Sequence, residues 1–268
     1  MRRLWCVVVF LALLAFVEGQ TAEQAEVQKK FDRDKLAREL AIEEKIGEYI
    51  PLDLKFKDET GRELLLREIV NRPTLILPIF FHCPGTCPIM HAELAMVLEK
   101  LGMPKGHEYR AISLSFDEEE TPSDAKGAKA SYAEIIKGKF PEAEWYFLVG
   151  SRENIDKLLA AFGYHFIKFA KHDFIHPNLM MTVAHDGKII RYLYGPEFLP
   201  FDVEMSLLEA TAGRASISVR KLLTYCFNYD PKGKKYVVDV TRIFATFTLV
   251  TLALVYFTLL RRKKRRQV

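Results

Sequence analysis

The chain has 268 residues, 49% of them hydrophobic, with 39 Lys and Arg against 35 Asp and Glu. That length supports one good core with material left over, and a core of that size excludes a small domain stapled by disulfides. Removing Arg2, Arg3 and the six cations of 261–266 from the 39 leaves 31 against 35 acids, so the rest is mildly acidic and offers no basic field for nucleic acid.

Residues 1–19 read as a signal peptide: Arg2 and Arg3, an apolar run from Leu4 to Val17, and small residues at Val17 and Gly19. Cleavage there removes Cys6. Residues 20–46 are charged and periodic, a helical or mobile lead-in. The main domain is expected over 47–213.

It opens with a hairpin around Glu59-Thr60-Gly61. Arg72 to Phe81 is a continuous apolar run, as in a strand buried on both faces. A cysteine loop follows, then a helix with Leu94, Val97, Leu98 and Leu101 on one stripe, ending at Gly102. EYRAISLSF predicts a second buried strand, the acidic stretch after it a loop and helix, and WYFLVG a third strand. Ser151 caps the next helix. Two strands then pair around His185-Asp186-Gly187, and Ser206 to Gly213 is helical. Strands alternating with helices and closing in a hairpin predict an α/β fold: a central mixed sheet with helices on both faces. No internal repeat is visible.

Residues 214–242 form a connector whose tyrosines and lysines suit a membrane interface. Residues 243–260 carry no charge, and 18 of them would rise ~27 Å as a helix, near the ~30 Å of a bilayer core. The basic tail at 261–268 then belongs in the cytoplasm. The expectation is a single-pass protein of a bacterial inner membrane, its domain facing the periplasm.

The chemistry concentrates in FHCPGTCPIM, Phe81 to Met90. Cys83 and Cys87 are four apart, between a strand and a helix. A thiol at a helix start faces unpaired N–H groups and loses its proton more readily. The pair can bridge, exchange electrons or chelate, and thiolates select Cu(I) or zinc. A metal needs a third ligand, for which a histidine is the natural candidate. His82 is expected to point away from Cys83, His91 to face out of its helix, and His107 and His185 to lie in turns. His165 and His172 flank the approach to the hairpin. His176 differs, because IHPN stands at the mouth of a strand whose start should meet the cysteine loop.

FFHCPGTCPIM, then SLSFDEEETP, then FIHPNLMMTVAHDGKIIRYLYG, in that order from about Gly47 to Gly195, resemble the SCO/SenC family of thioredoxin-fold copper proteins that help assemble cytochrome c oxidase. The resemblance implies a thioredoxin-like fold, copper as Cu(I) or Cu(II), and Cys83, Cys87 and His176 as its ligands. It places Asp117 near the site, as a supporting or partner-facing group or as a turn cap. It implies a metallochaperone whose partner is the copper-bearing oxidase subunit or another copper chaperone. The anchored segment around KLLTYCFNYDP is similar to a bacterial branch that often has a histidine where this chain has Asn228, which leaves Cys226 a free thiol. The competing readings are a thiol-disulfide reductase working through Cys83 and Cys87, a peroxidase, and a tethered domain with a structural Cys83–Cys87 bridge.

Overall fold

The computed structural model describes residues 39–106, 108–215, 227–230 and 235–238, together with 248 and 251. The chain divides into two compact units, Met1–Arg214 and Ala215–Val268. In the second, strands Phe227–Asp230 and Lys235–Val238 pair antiparallel. Asn228 lies in the first of these, and Cys226 is outside the described residues.

The first unit begins with β1 (Lys55–Lys57) and β2 (Glu63–Leu65), a hairpin closed by the Glu59-Thr60-Gly61 turn, where Asp58 Oδ1 accepts from the N–H groups of Thr60 and Arg62. A single helical turn, α1 (Leu66–Ile69), leads to β3 (Thr74–Ile79), buried at every position as its unbroken apolar sequence predicts. Then come α2 (Cys87–Leu101), β4 (Arg110–Ser115), α3 (Pro122–Ala133), β5 (Trp145–Leu148) and α4 (Arg152–Ala161). Ser151 caps α4, its side chain accepting from Asn154 N–H at 3.4 Å. Two short strands, β6 (Ile167–Ala170) and β7 (Asp173–Ile175), precede β8 (Leu179–Val183), β9 (Ile189–Tyr194) and α5 (Pro200–Thr211).

The central sheet has the order β5-β4-β3-β8-β9. β3, β4 and β5 run parallel, while β8 and β9 are antiparallel to their neighbours, so this is the mixed sheet expected. Because β8 opposes β3, its start lies at the end of β3, where the cysteine loop departs. The β3–β8 ladder pairs only Thr74 to Ile76. Pro78 follows two residues later and has no N–H to donate, so the sheet stops pairing on that side just before the loop.

Helices cover both faces. On one, His91 of α2 packs against Trp145 and Phe147; on the other, Tyr164 and Phe166, just past α4, lie against Phe116. Trp145 Nε1 donates to Ser113 Oγ at 3.0 Å, satisfying a buried donor. At the opposite end of the sheet the nearly buried Arg110 donates to Glu144 at 2.7 Å, to the carbonyls of Glu68 and Ile69, and to Asn71.

Three expectations change. His91 does not face out of α2; it is 2% exposed, enclosed by Phe81, Tyr132, Trp145 and Phe147. The last helix starts at Pro200, not Ser206, with the proline at a helical position that needs no N–H donor. The single-pass inner-membrane placement is also overturned: among the described residues no helix is long and apolar enough to cross a membrane. The longest, α2, has 15 residues and rises about 22 Å, short of a ~30 Å core, and it carries Glu93, Glu99 and Lys100. The stretches 1–19 and 243–260, on which a signal peptide and an anchor were expected, fall almost wholly outside the described residues.

Candidate metal centre

The end of β3, the start of α2 and the approach to β8 meet at one point. Cys83, Cys87 and His176 each offer a ligand atom within 4.8 Å of the others. Cys87 is the first residue of α2 and 1% exposed, followed by Pro88, which suits the opening of a helix. Cys83 is part-exposed at the loop's outer side, and its sulfur accepts from Gly85 N–H at 3.3 Å. Cys87 Sγ lies 3.4 Å from His176 Nε2.

His176 is oriented from behind. Its Nδ1 is 3.1 Å from the carbonyl of Pro177 and 3.2 Å from the Tyr164 hydroxyl, which itself donates to that carbonyl at 2.9 Å. A carbonyl only accepts, so Nδ1 holds the proton and Nε2 keeps its lone pair towards Cys87. Phe80 and Phe116 pack on the ring at centroid distances of 5.9 and 5.0 Å. Tyr164 reaches this place because Gly163 turns the chain after α4 with φ +59°, and a Cβ there would fall 2.1 Å from the Glu43 carbonyl. The loop is tied to the approach to β8 by Thr86 Oγ1, 3.1 Å from Asn178 Oδ1.

The two thiols are unequal. Donation from the Cys87 thiol, with help from the backbone N–H groups of Cys87 and Gly85, holds Cys83 well below the ordinary thiol range. That pairing and burial push Cys87 up. With its acidity raised, Cys83 is ionised at pH values where a free cysteine is not. In the reduced, metal-free protein at about pH 6, iodoacetamide should therefore modify Cys83 at least about tenfold faster than free cysteine and leave Cys87 unmodified. Peptide mapping by mass spectrometry reads this out, and equal modification of both would contradict the asymmetry.

Asp117 is buried but bonds none of the three ligands: Oδ1 accepts from Glu119 N–H at 3.1 Å and Oδ2 meets His172 Nδ1 at 2.5 Å. It is a turn cap that also holds His172. His82 turns to Glu120, His165 and His185 are exposed, and His107 is outside the described residues. Sequence reasoning missed Tyr164 and Glu120. The Glu120 carboxylate accepts from the N–H groups of Phe81 and His82 and from Ser115 Oγ, and so fixes the start of the cysteine loop.

The SCO1/SenC family model matches residues 47–200. A protein of Aquifex aeolicus VF5, provisionally described as an electron transfer protein, is 30% identical, with a TM-score of 0.55 over 63% of this chain and 95% of that one. BsSco, described as having a disulfide switch and as a member of the Sco family of cytochrome c oxidase assembly proteins, is 24% identical, with a TM-score of 0.51 over 61% and 94%. Bradyrhizobium japonicum ScoI, solved with copper bound, is 22% identical, with a TM-score of 0.49 over 62% and 99%. No curated protein matches the chain in sequence.

Proposed function

The chain belongs to the SCO1/SenC family, and from that membership we propose that it is a copper metallochaperone that binds copper through Cys83, Cys87 and His176 and supports assembly of the copper centre of cytochrome c oxidase. The observation that carries this is the convergence of two sulfurs and one imidazole nitrogen within 4.8 Å, with the nitrogen's lone pair already aimed by Pro177 and Tyr164. Two soft thiolates and one imidazole fit Cu(I) and tolerate Cu(II). Reduction of the cysteines is a precondition, since a disulfide offers no thiolate.

The unequal exposure suggests how copper leaves. Cys87 is buried and His176 is tethered by Tyr164 and Pro177, while Cys83 sits part-exposed on the loop. An acceptor's thiolate or imidazole can replace Cys83 first, and copper passes by successive ligand exchange. The partner in this reading is the copper-bearing oxidase subunit or another copper chaperone.

Titration of the reduced full chain with Cu(I) against a competing chelator tests the proposal. One tightly held copper per chain is expected; binding no tighter than that of an unrelated dithiol would overturn it.

The same asymmetry favours one second reading, thiol-disulfide reduction. The Cys83 thiolate would attack a partner disulfide and Cys87 would resolve the mixed disulfide. The partner leaves as two thiols with two electrons and two protons, and the chain keeps a Cys83–Cys87 disulfide.

A further inference from the structure

A second group of ligating side chains stands one residue along the chain from Cys83. His82, Glu120 and His172 each offer a ligand atom within 4.8 Å of the others. They come from three places: the start of the cysteine loop, the turn between β4 and α3, and the tip of the β6–β7 hairpin. The two imidazole rings lie 4.7 Å apart.

Each ring is held by a carboxylate whose side chain is fully buried. Glu120 Oε1 meets His82 Nδ1 at 2.9 Å, and Asp117 Oδ2 meets His172 Nδ1 at 2.5 Å. Asp124 Oδ1 lies 3.7 Å from His82 Nε2. Asp117, behind the His172 imidazole, fixes that ring and raises its basicity towards a metal, the arrangement found behind ligating histidines, while Glu120 stands beside His82 Nδ1 as a ligand.

Charge points the same way. The nearby Lys168 is 3.9 Å from Asp117, but it is bonded more closely to Glu118 and Glu119, at 2.9 and 2.7 Å. The partners of Glu120 are two backbone N–H groups, Ser115 and His82. Two buried carboxylates with two adjoining imidazoles make a place where a cation relieves the local excess of negative charge.

We propose that His82, His172 and Glu120 form a second metal site, with Asp124 beside it, for a divalent d-block ion such as Zn(II) or Cu(II). Its nitrogen and oxygen donors are harder than the Cys83, Cys87 and His176 set and select differently. The site stands whether or not copper binds the cysteines.

The test uses the full chain carrying Cys83→Ser and Cys87→Ser, titrated with Zn(II) and separately with Cu(II) against a chelating dye. It is repeated with His172→Asn added, since asparagine tolerates the positive φ of 52° at that position. His165→Asn, at an exposed histidine, serves as the control. One ion per chain should bind and weaken at least about 100-fold in His172→Asn, beyond what loss of a supporting residue alone produces. The Cu(II) spectrum should show coupling to imidazole nitrogen that is reduced in that variant. No binding, or equal weakening by His165→Asn, would overturn the proposal. Should the serine variant fail to fold, the wild-type chain with both thiols oxidised gives the same decision.

Discussion

Cys87→Ser is expected to abolish tight Cu(I) binding while leaving the domain folded. The sulfur it removes is the buried member of the pair, fixed as the first residue of α2 and 3.4 Å from His176 Nε2. A hydroxyl of similar shape can still donate to Cys83 or to that nitrogen, so the structural cost stays within about 1 kcal/mol, the worth of one ordinary hydrogen bond. As a ligand the change is severe, because Cu(I) prefers thiolate and serine offers a neutral, hard oxygen. Competition against a Cu(I) chelator should show affinity lower by at least about 100-fold, with circular dichroism unchanged. A full complement of tightly bound copper in the serine protein would remove Cys87 from the ligand set.

Phe116→Ala has the largest expected effect on stability. Phe116 is 0% exposed and its ring packs against Phe80, Phe166, Phe174 and His176 at centroid distances of 4.8 to 5.5 Å. Truncation removes the shared floor of this cluster, and a buried Phe→Ala change costs about 3–5 kcal/mol through lost transfer energy and the cavity left behind. Denaturant unfolding measures it directly. Copper affinity should fall as well, since the ring that positions His176 loses a wall. A loss below about 1 kcal/mol would mean that the cluster relaxes around the gap and does not hold the site.

The fold was legible where local chemistry and tertiary context agree. The apolar run of β3 has no other place than a sheet interior, and Asp186-Gly187 and Thr60-Gly61 have the composition of tight turns. The cysteine loop and IHPN were visible as motifs, and β8 opposing β3 explains why residues 89 positions apart meet.

What was hidden depended on distant partners. His91 lies on the stripe of Leu94, Leu98 and Leu101 at helical spacing, so the signal for its burial was present but was outweighed by its polar side chain. Burial pushes its imidazole down to about 3, and its Nε2 has no partner among the described residues. The β6–β7 hairpin shows no clean alternation, with β6 half-buried to exposed along its length. Glu120 is one of three consecutive glutamates, and only the fold distinguishes the one that anchors the cysteine loop. Tyr164 belongs to no motif; its role follows from the turn at Gly163.

The most direct test of the three-ligand centre is X-ray absorption at the copper edge on the Cu(I)-loaded chain and its His176→Ala variant. The account predicts two sulfur neighbours and one imidazole nitrogen in the wild type, with the nitrogen lost in the variant. The same all-sulfur shell in both proteins would contradict it.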